Sequence, residues 1–197
     1  MEATRQRLLE AGQEEVYLRG FQGASLGAIL GRARASKGAF FHYFASKSAF
    51  GYALVDEVLA KMISAQWVTP LEASDDPLET IGAEFERGIE LLRAQQPILG
   101  CPLNNLAQEM NPLDDGFRDR TTRVFRTWRE AYRSALARGQ QRGIVLPGVE
   151  PADAAHLLIA QIEGTLSLAR NTQDPETLTT GARALRSYLA SIRVSGR

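Results

Sequence analysis

The chain has 197 residues, 44% hydrophobic and 23% charged, ordinary proportions for a globular protein. Its 23 Lys and Arg balance 23 Asp and Glu, which excludes a surface that binds nucleic acid everywhere but leaves room for a local basic face. One Cys excludes an intrachain disulfide, two His give little material for a metal site, no apolar run approaches ~20 residues, and Met1-Glu-Ala-Thr-Arg-Gln-Arg7 has no leader-like apolar core. No metal, cofactor or membrane contact is expected, and a reducing cytoplasm is the expected location.

Proline marks the helix starts. Asp76-Pro77, Cys101-Pro102, Asn111-Pro112, Glu150-Pro151 and Asp174-Pro175 each place Pro after a residue that can cap, and Pro suits the first helical position. Asp76 with Glu79 also has capping-box spacing. The periodicity predicts an all-α chain of about nine helices, near 3–19, 25–33, 36–43, 47–68, 77–95, 102–110, 114–142, 151–171 and 175–193. Gly143-Ile-Val-Leu-Pro147 is the one strand-like scrap, too short for a sheet.

Charge is unevenly spread. Residues 1–50 hold seven Lys or Arg against four Glu, while 72–115 is acidic. The long helix near 114–142 sets Arg123, Arg126, Arg129 and Arg133 on one face, opposite Phe117, Val124, Trp128, Ala131 and Ala135. A solvated charged face is the expected reading of that arginine row.

The segment from Ser25 to Lys47 carries the chemistry. Ser25 caps a short helix whose apolar face is Leu26, Ile29, Leu30 and Ala33. Arg34-Ala35 turns the chain, and Ser36 caps a second short helix anchored by Phe40 and Phe44. Two short helices so joined form a helix-turn-helix, whose second member lies in the DNA major groove with its N-terminal residues toward the bases. Lys37 supplies a cation there, Gly38 and Ala39 allow close approach, and His42 and Tyr43 can donate hydrogen bonds. Ser46 then caps the helix carrying Lys47, whose first N–H groups suit a phosphate.

The run from Arg32 to Phe50, with Arg7-Leu-Leu-Glu-Ala11 and Gly20-Phe21 upstream, closely resembles the DNA-binding domain of the tetracycline-repressor (TetR) family, over about residues 3–58. Gly100 to Met110 resembles one branch of that family's regulatory domains. The resemblance implies a homodimeric transcriptional regulator, usually a repressor, that leaves a palindromic operator when a small molecule binds. It places Lys37, Gly38, Ala39 and His42 near base edges or flanking phosphates, and Ser25, Tyr43 and Lys47 on the backbone. Phe41 stands where many members have Tyr, and Arg34 where a turn Gly is usual. Both belong to the expected interface, with Ser36. A positive φ at Arg34 would cost about 1 kcal/mol.

The expected division is 1–50 for DNA binding and 51–197 for effector binding and dimerisation. Helices 151–171 and 175–193 are the expected dimer contact, the first apolar nearly all round, the second with a stripe of Leu178, Ala182, Leu185, Leu189 and Ile192. The resemblance puts an effector among the helices between 77 and 171, where Phe85, Ile89, Asn104, Gln108, Trp128, Tyr132, His156 and Glu163 are candidate lining groups, His156 more simply a buried core histidine. Cys101, next to a helix start, is a candidate sensor for electrophiles. The chain is not expected to be an enzyme. The alternatives are an activator of the same fold, a helical protein-interaction module, and a thiol enzyme pairing Cys101 with His156.

Overall fold

A computed structural model describes residues 2–195 of the chain. Among them nine helical rods follow one another: α1 (Glu2–Gly23), α2 (Leu26–Ala33), α3 (Lys37–Tyr43), α4 (47–72), α5 (Pro77–Arg93), α6 (Pro102–Met110), α7 (Asp115–Gln141), α8 (Pro151–Thr172) and α9 (Pro175–Ser191). The prolines at 77, 102, 151 and 175 open helices as expected. Asp76, Glu150 and Asp174 cap theirs by accepting backbone N–H groups two or three residues on. Pro112 opens none. The turn there delays α7, and Asp114 is its cap, with Oδ1 taking Gly116 N–H at 2.8 Å and Phe117 N–H at 3.2 Å. Only half of the Asp76 capping box forms, since Glu79 turns instead to Arg186.

α4 is not a regular helix. Leu54–Leu59 and Ser64–Val68 are π-turns, closed by Ala60 N–H to Val55 O and Thr69 N–H to Ser64 O, each spanning five residues instead of four. The strand-like scrap survives as one bridge, Val145 to Arg193, and no strand longer than this occurs among the described residues.

The chain packs as two compact units whose boundaries fall inside α4 and α7. The first comprises residues 1–62 and 102–124, so α6 and the start of α7 join the N-terminal helices. Its core sets Leu8, Leu9 and Ala11 of α1 against Ile29 and Ala33 of α2, Phe40 of α3, and Phe44 and Phe50. Phe40, 1% exposed, lies within 5.5 Å, ring centre to ring centre, of both Phe44 and Phe50. Gly12 makes room for Phe50, whose Cζ would lie 2.1 Å from any Cβ there.

The second unit comprises residues 63–101 and 125–197. Its α9 packs against α5 and α8. Leu178, Leu185 and Leu189 are buried in this packing, so the α9 stripe expected to meet a second subunit is used inside the chain itself. Arg186 reinforces the contact from the side, donating to Glu86 at 2.6 and 2.8 Å and to Glu79 at 3.0 Å. The interior is aromatic, with Trp67 stacked on Trp128 at 5.1 Å and Tyr132 edge-on to Trp128 at 6.0 Å.

Candidate nucleic-acid interface

The helix-turn-helix is built as its sequence suggests. Ser25 Oγ accepts from Ala28 N–H, and Ser36 Oγ accepts from Ala39 N–H at 3.1 Å, each satisfying a helix-end donor. Between them Arg34 sits in the left-handed region, φ 50° and ψ 48°, and its N–H closes the end of α2. The strained turn inferred for this arginine is therefore present. Phe40 fixes one side of α3 in the core, which leaves Lys37, Gly38, Phe41 and His42 exposed on the other. Phe41 is 47% exposed, a large apolar ring turned outward beside His42. Ala39 and Tyr43 are half-buried, Tyr43 with its ring against His42 and Phe44.

The basic residues of 1–50 divide into two groups. Arg5 pairs with Glu57, Arg19 with Glu15 and Arg32 with Glu14. Arg7 donates to the Ala33 carbonyl. Lys47 donates to the carbonyls of Ala24 at 2.8 Å and Gln22 at 3.3 Å, and its ammonium lies 5.2 Å from the Phe21 ring centre. Two of its three N–H bonds thus brace the protein's own loop, a use the sequence pattern did not disclose. Arg34 and Lys37 have no such partner among the described residues, and both are exposed at the turn and the start of α3. Sequence reasoning also missed Tyr52. Its hydroxyl donates to both Asp114 oxygens at 2.8 and 2.9 Å, which lowers the Asp114 carboxyl and raises the Tyr52 phenol.

The expected effector residues do not form one group. Phe85, Ile89, Trp128, Tyr132 and Glu163 are buried in the second unit, joined by Trp67, which sequence reasoning overlooked. The Trp128 indole N–H and the Tyr132 hydroxyl are sealed from solvent, and neither makes a well-formed hydrogen bond among the described residues. Burial pushes the Tyr132 phenol up, the indole beside it offsets part of the rise, and the Glu84 and Glu163 carboxylates add to it. Asn104 and Gln108 belong to the first unit, half-buried and exposed respectively. His156 is exposed, which corrects the expectation of a buried core histidine. Cys101 is buried, 7% exposed, so a thiol pair with His156 gains no support. A surface groove of about 260 Å³ on the second unit is lined by Val68, Leu71, Thr127, Ala131, Ser134 and Arg138 among others, none of them an expected effector residue.

Residues 8–51 match the family model for bacterial regulatory proteins of the tetR family, and residues 77–185 match the tetracyclin repressor-like C-terminal domain. The chain belongs to the TetR family. It is a helix-turn-helix transcriptional regulator of that family, and the helix layout of its described residues is the family's. It is 29% identical to the transcriptional repressor DhaR of Mycobacterium sp. (strain GP1), over 88% of this chain and 86% of that one. It is 27% identical to the transcriptional repressor NemR of Escherichia coli, over 95% of this chain and 94% of that one. The reduced form of E. coli NemR superposes with a TM-score of 0.85 at 25% identity, covering 98% of both chains. A TetR regulator from Chloroflexus aurantiacus gives 0.86 at 25% identity, again over 98% of both. No group of three or more His, Cys, Asp or Glu among the described residues could hold a metal ion, and no described helix is long and apolar enough to cross a membrane.

Proposed function

We propose that this TetR regulator is a cytoplasmic repressor that binds a palindromic operator as a homodimer and leaves it when a small molecule occupies the second unit. The observation that carries the DNA reading is the pair of cations without partners among the described residues, Arg34 and Lys37, at the turn and first residue of a helix whose outer face is Gly38, Phe41 and His42. Ser25, Ser36, Ala39 and Tyr43 complete the surface, and Lys47 holds the loop beneath it while one N–H remains for a phosphate. A two-fold pair sets its recognition helices about 34–36 Å apart, one turn of DNA.

Support for a second copy comes from α8. Leu157 is 49% exposed and Leu168 58%, on one stripe with the exposed small residues Ala160 and Gly164. Exposed Ala184 and Ser187 on α9 are small enough for another helix to approach. The two copies meet through 151–171 and 175–193, with the outward face of α9 replacing the leucine stripe.

The effector site is the buried group Phe85, Ile89, Trp128, Tyr132 and Glu163, with Trp67. A ligand that accepts from the Trp128 N–H and the Tyr132 hydroxyl, both buried without well-formed hydrogen bonds, recovers an interaction that burial otherwise costs. Because Trp67 and Trp128 are the chain's two tryptophans, an occupant changes the intrinsic emission directly. An electrophile would have to reach buried Cys101, so reversible occupancy is the favoured trigger.

Selection from a pool of random DNA duplexes tests the DNA reading. Enrichment of a two-fold symmetric sequence is expected, with affinity falling about 0.9 log unit per phosphate contact for each tenfold rise in salt. Arg34→Glu with Lys37→Glu abolishes that binding. No enrichment at low ionic strength overturns the proposal.

A further inference from the structure

α1 bends before it reaches the helix-turn-helix. At Gly20 the backbone takes φ 76° and ψ 166°, and a last helical turn follows to Gly23. A bend of this kind removes the intrahelical carbonyls that the next N–H groups would use. Phe21 and Gln22 find their acceptors 88 and 87 residues away, in the carboxylate of Glu109 on α6, where Oε2 takes the Phe21 N–H at 2.7 Å and Oε1 the Gln22 N–H at 2.8 Å. A Cβ at position 20 would stand 2.8 Å from Glu109 Oε2, so glycine there both adopts the positive φ and admits the carboxylate.

The carbonyls of the same stretch face the opposite charge. Gln22 and Ala24 accept from the Lys47 ammonium. Residues 21–24 are therefore held by an anion on their N–H side and a cation on their C=O side. Ser25, the cap of α2, follows at once, so this clamp sets where α2 starts and, through the short turn at Arg34, where α3 points. Glu109 lies outside residues 8–51, the stretch that matches the DNA-binding family model.

We propose that Glu109 is a positioning residue for operator recognition, fixing the aim of α3 by holding the chain's entry into the helix-turn-helix. The inference rests on α3 being the recognition helix. Its own anchor, Phe40 in the aromatic core, does not involve Glu109, so loss of the carboxylate leaves α3 folded but less tightly aimed. Contacts to phosphates tolerate such looseness, whereas hydrogen bonds to base edges need fixed geometry and lose energy first. Discrimination between sequences falls more than affinity for DNA in general.

The test uses the full-length protein and the duplex enriched by the wild type from a random pool, with a scrambled duplex as reference. Glu109→Ala is expected to lower the ratio of the two affinities about tenfold or more, with the salt dependence on the scrambled duplex unchanged. Glu109→Gln keeps one acceptor oxygen and restores part of the ratio. Ile81→Val, in the core of the second unit, is the comparison for a purely structural loss; it lowers the melting temperature and leaves the ratio alone. A wild-type ratio in Glu109→Ala, measured well below its melting temperature, overturns the inference. If Glu109→Ala does not fold, Glu109→Gln decides, and a ratio within twofold of wild type overturns it. Failure of the wild type to prefer any duplex would instead remove the DNA-binding reading itself.

Discussion

The Asp76 carboxylate receives the Arg193 guanidinium in two contacts, 2.8 and 3.0 Å long, while its Oδ1 also accepts the Leu78 and Glu79 N–H groups that open α5. One side chain thus caps a helix and ties down the segment after α9. Hydrogen bonds from Arg193 first, then from the Glu79 and Leu78 N–H groups, hold the Asp76 carboxyl below its ordinary 3.8, against the opposing effect of burial. Glu86 is lowered in the same way by Arg186.

A carboxyl lowered on folding adds stability that is complete above its unfolded value and is lost as pH falls through the folded one. The melting temperature should therefore be level above about pH 5 and fall below pH 4. Arg193→Gln should lower it near neutral pH, with a loss of stability below about 1 kcal/mol because both partners are more than a third exposed. The two curves should converge in acid. Parallel curves down to pH 2 would show that this pair contributes nothing.

Arg34 gives a prediction of opposite signs. Glycine accepts the observed φ of 50° without strain, so Arg34→Gly should stabilise the protein by about 1 kcal/mol, or roughly 2–4 °C. Operator affinity should fall, and the salt slope should lose about 0.9 per subunit with the departing cation. Thermal melts and a salt titration of binding measure both. An unchanged slope would take Arg34 off the DNA.

Tyr132 is buried with its hydroxyl lacking a well-formed hydrogen bond. Tyr132→Phe should raise the stability of the unliganded protein by no more than about 1 kcal/mol, since it removes one desolvated polar group while the Trp128 N–H beside it stays buried. A fall in melting temperature would mean that the hydroxyl already has a partner, and the effector site would lose one of its two donors.

The leucines on the outer face of α8 predict assembly. Leu157→Glu with Leu168→Glu should leave the helical content intact and give a monomer in sedimentation. Affinity for a two-half-site duplex should fall by about 10² or more, because the second head no longer binds at high effective concentration. A dimer that survives both charges would place the interface elsewhere.

Much of this molecule was legible in its sequence, for local reasons. Caps such as Asp76, Glu150 and Asp174 act on N–H groups within three residues, so their pattern marks helix starts directly. The helix-turn-helix was legible because Ser25, Arg34, Ser36 and Phe40 each act within one short helix pair. What escaped was long-range. Nothing near Glu109 signals that its carboxylate meets N–H groups at 21 and 22, and nothing near Trp67 signals its stacking on Trp128. The α9 stripe was visible as apolar, but periodicity alone does not say whether its partner is α5 of the same chain or another copy. Lys47 stands at a helix start, where a cation has the chemistry of a phosphate ligand, but nothing near it signals that two of its N–H groups meet carbonyls 25 and 23 residues upstream, at Gln22 and Ala24.

The two π-turns of α4 bear on how this chain compares in length with its relatives. Each turn carries about one residue more than the α-turn it replaces, so the faces before and after it are offset by roughly 100° from a regular helix. A relative one residue shorter within 64–68 could present the same side chains from an unbroken α-helix. Deleting exposed Ala65 should therefore be tolerated, whereas a deletion in the regular stretch Lys47–Ala53 would turn Phe50 out of its core. An alignment gap at those positions would mark a change of helical winding, with every buried side chain kept in place.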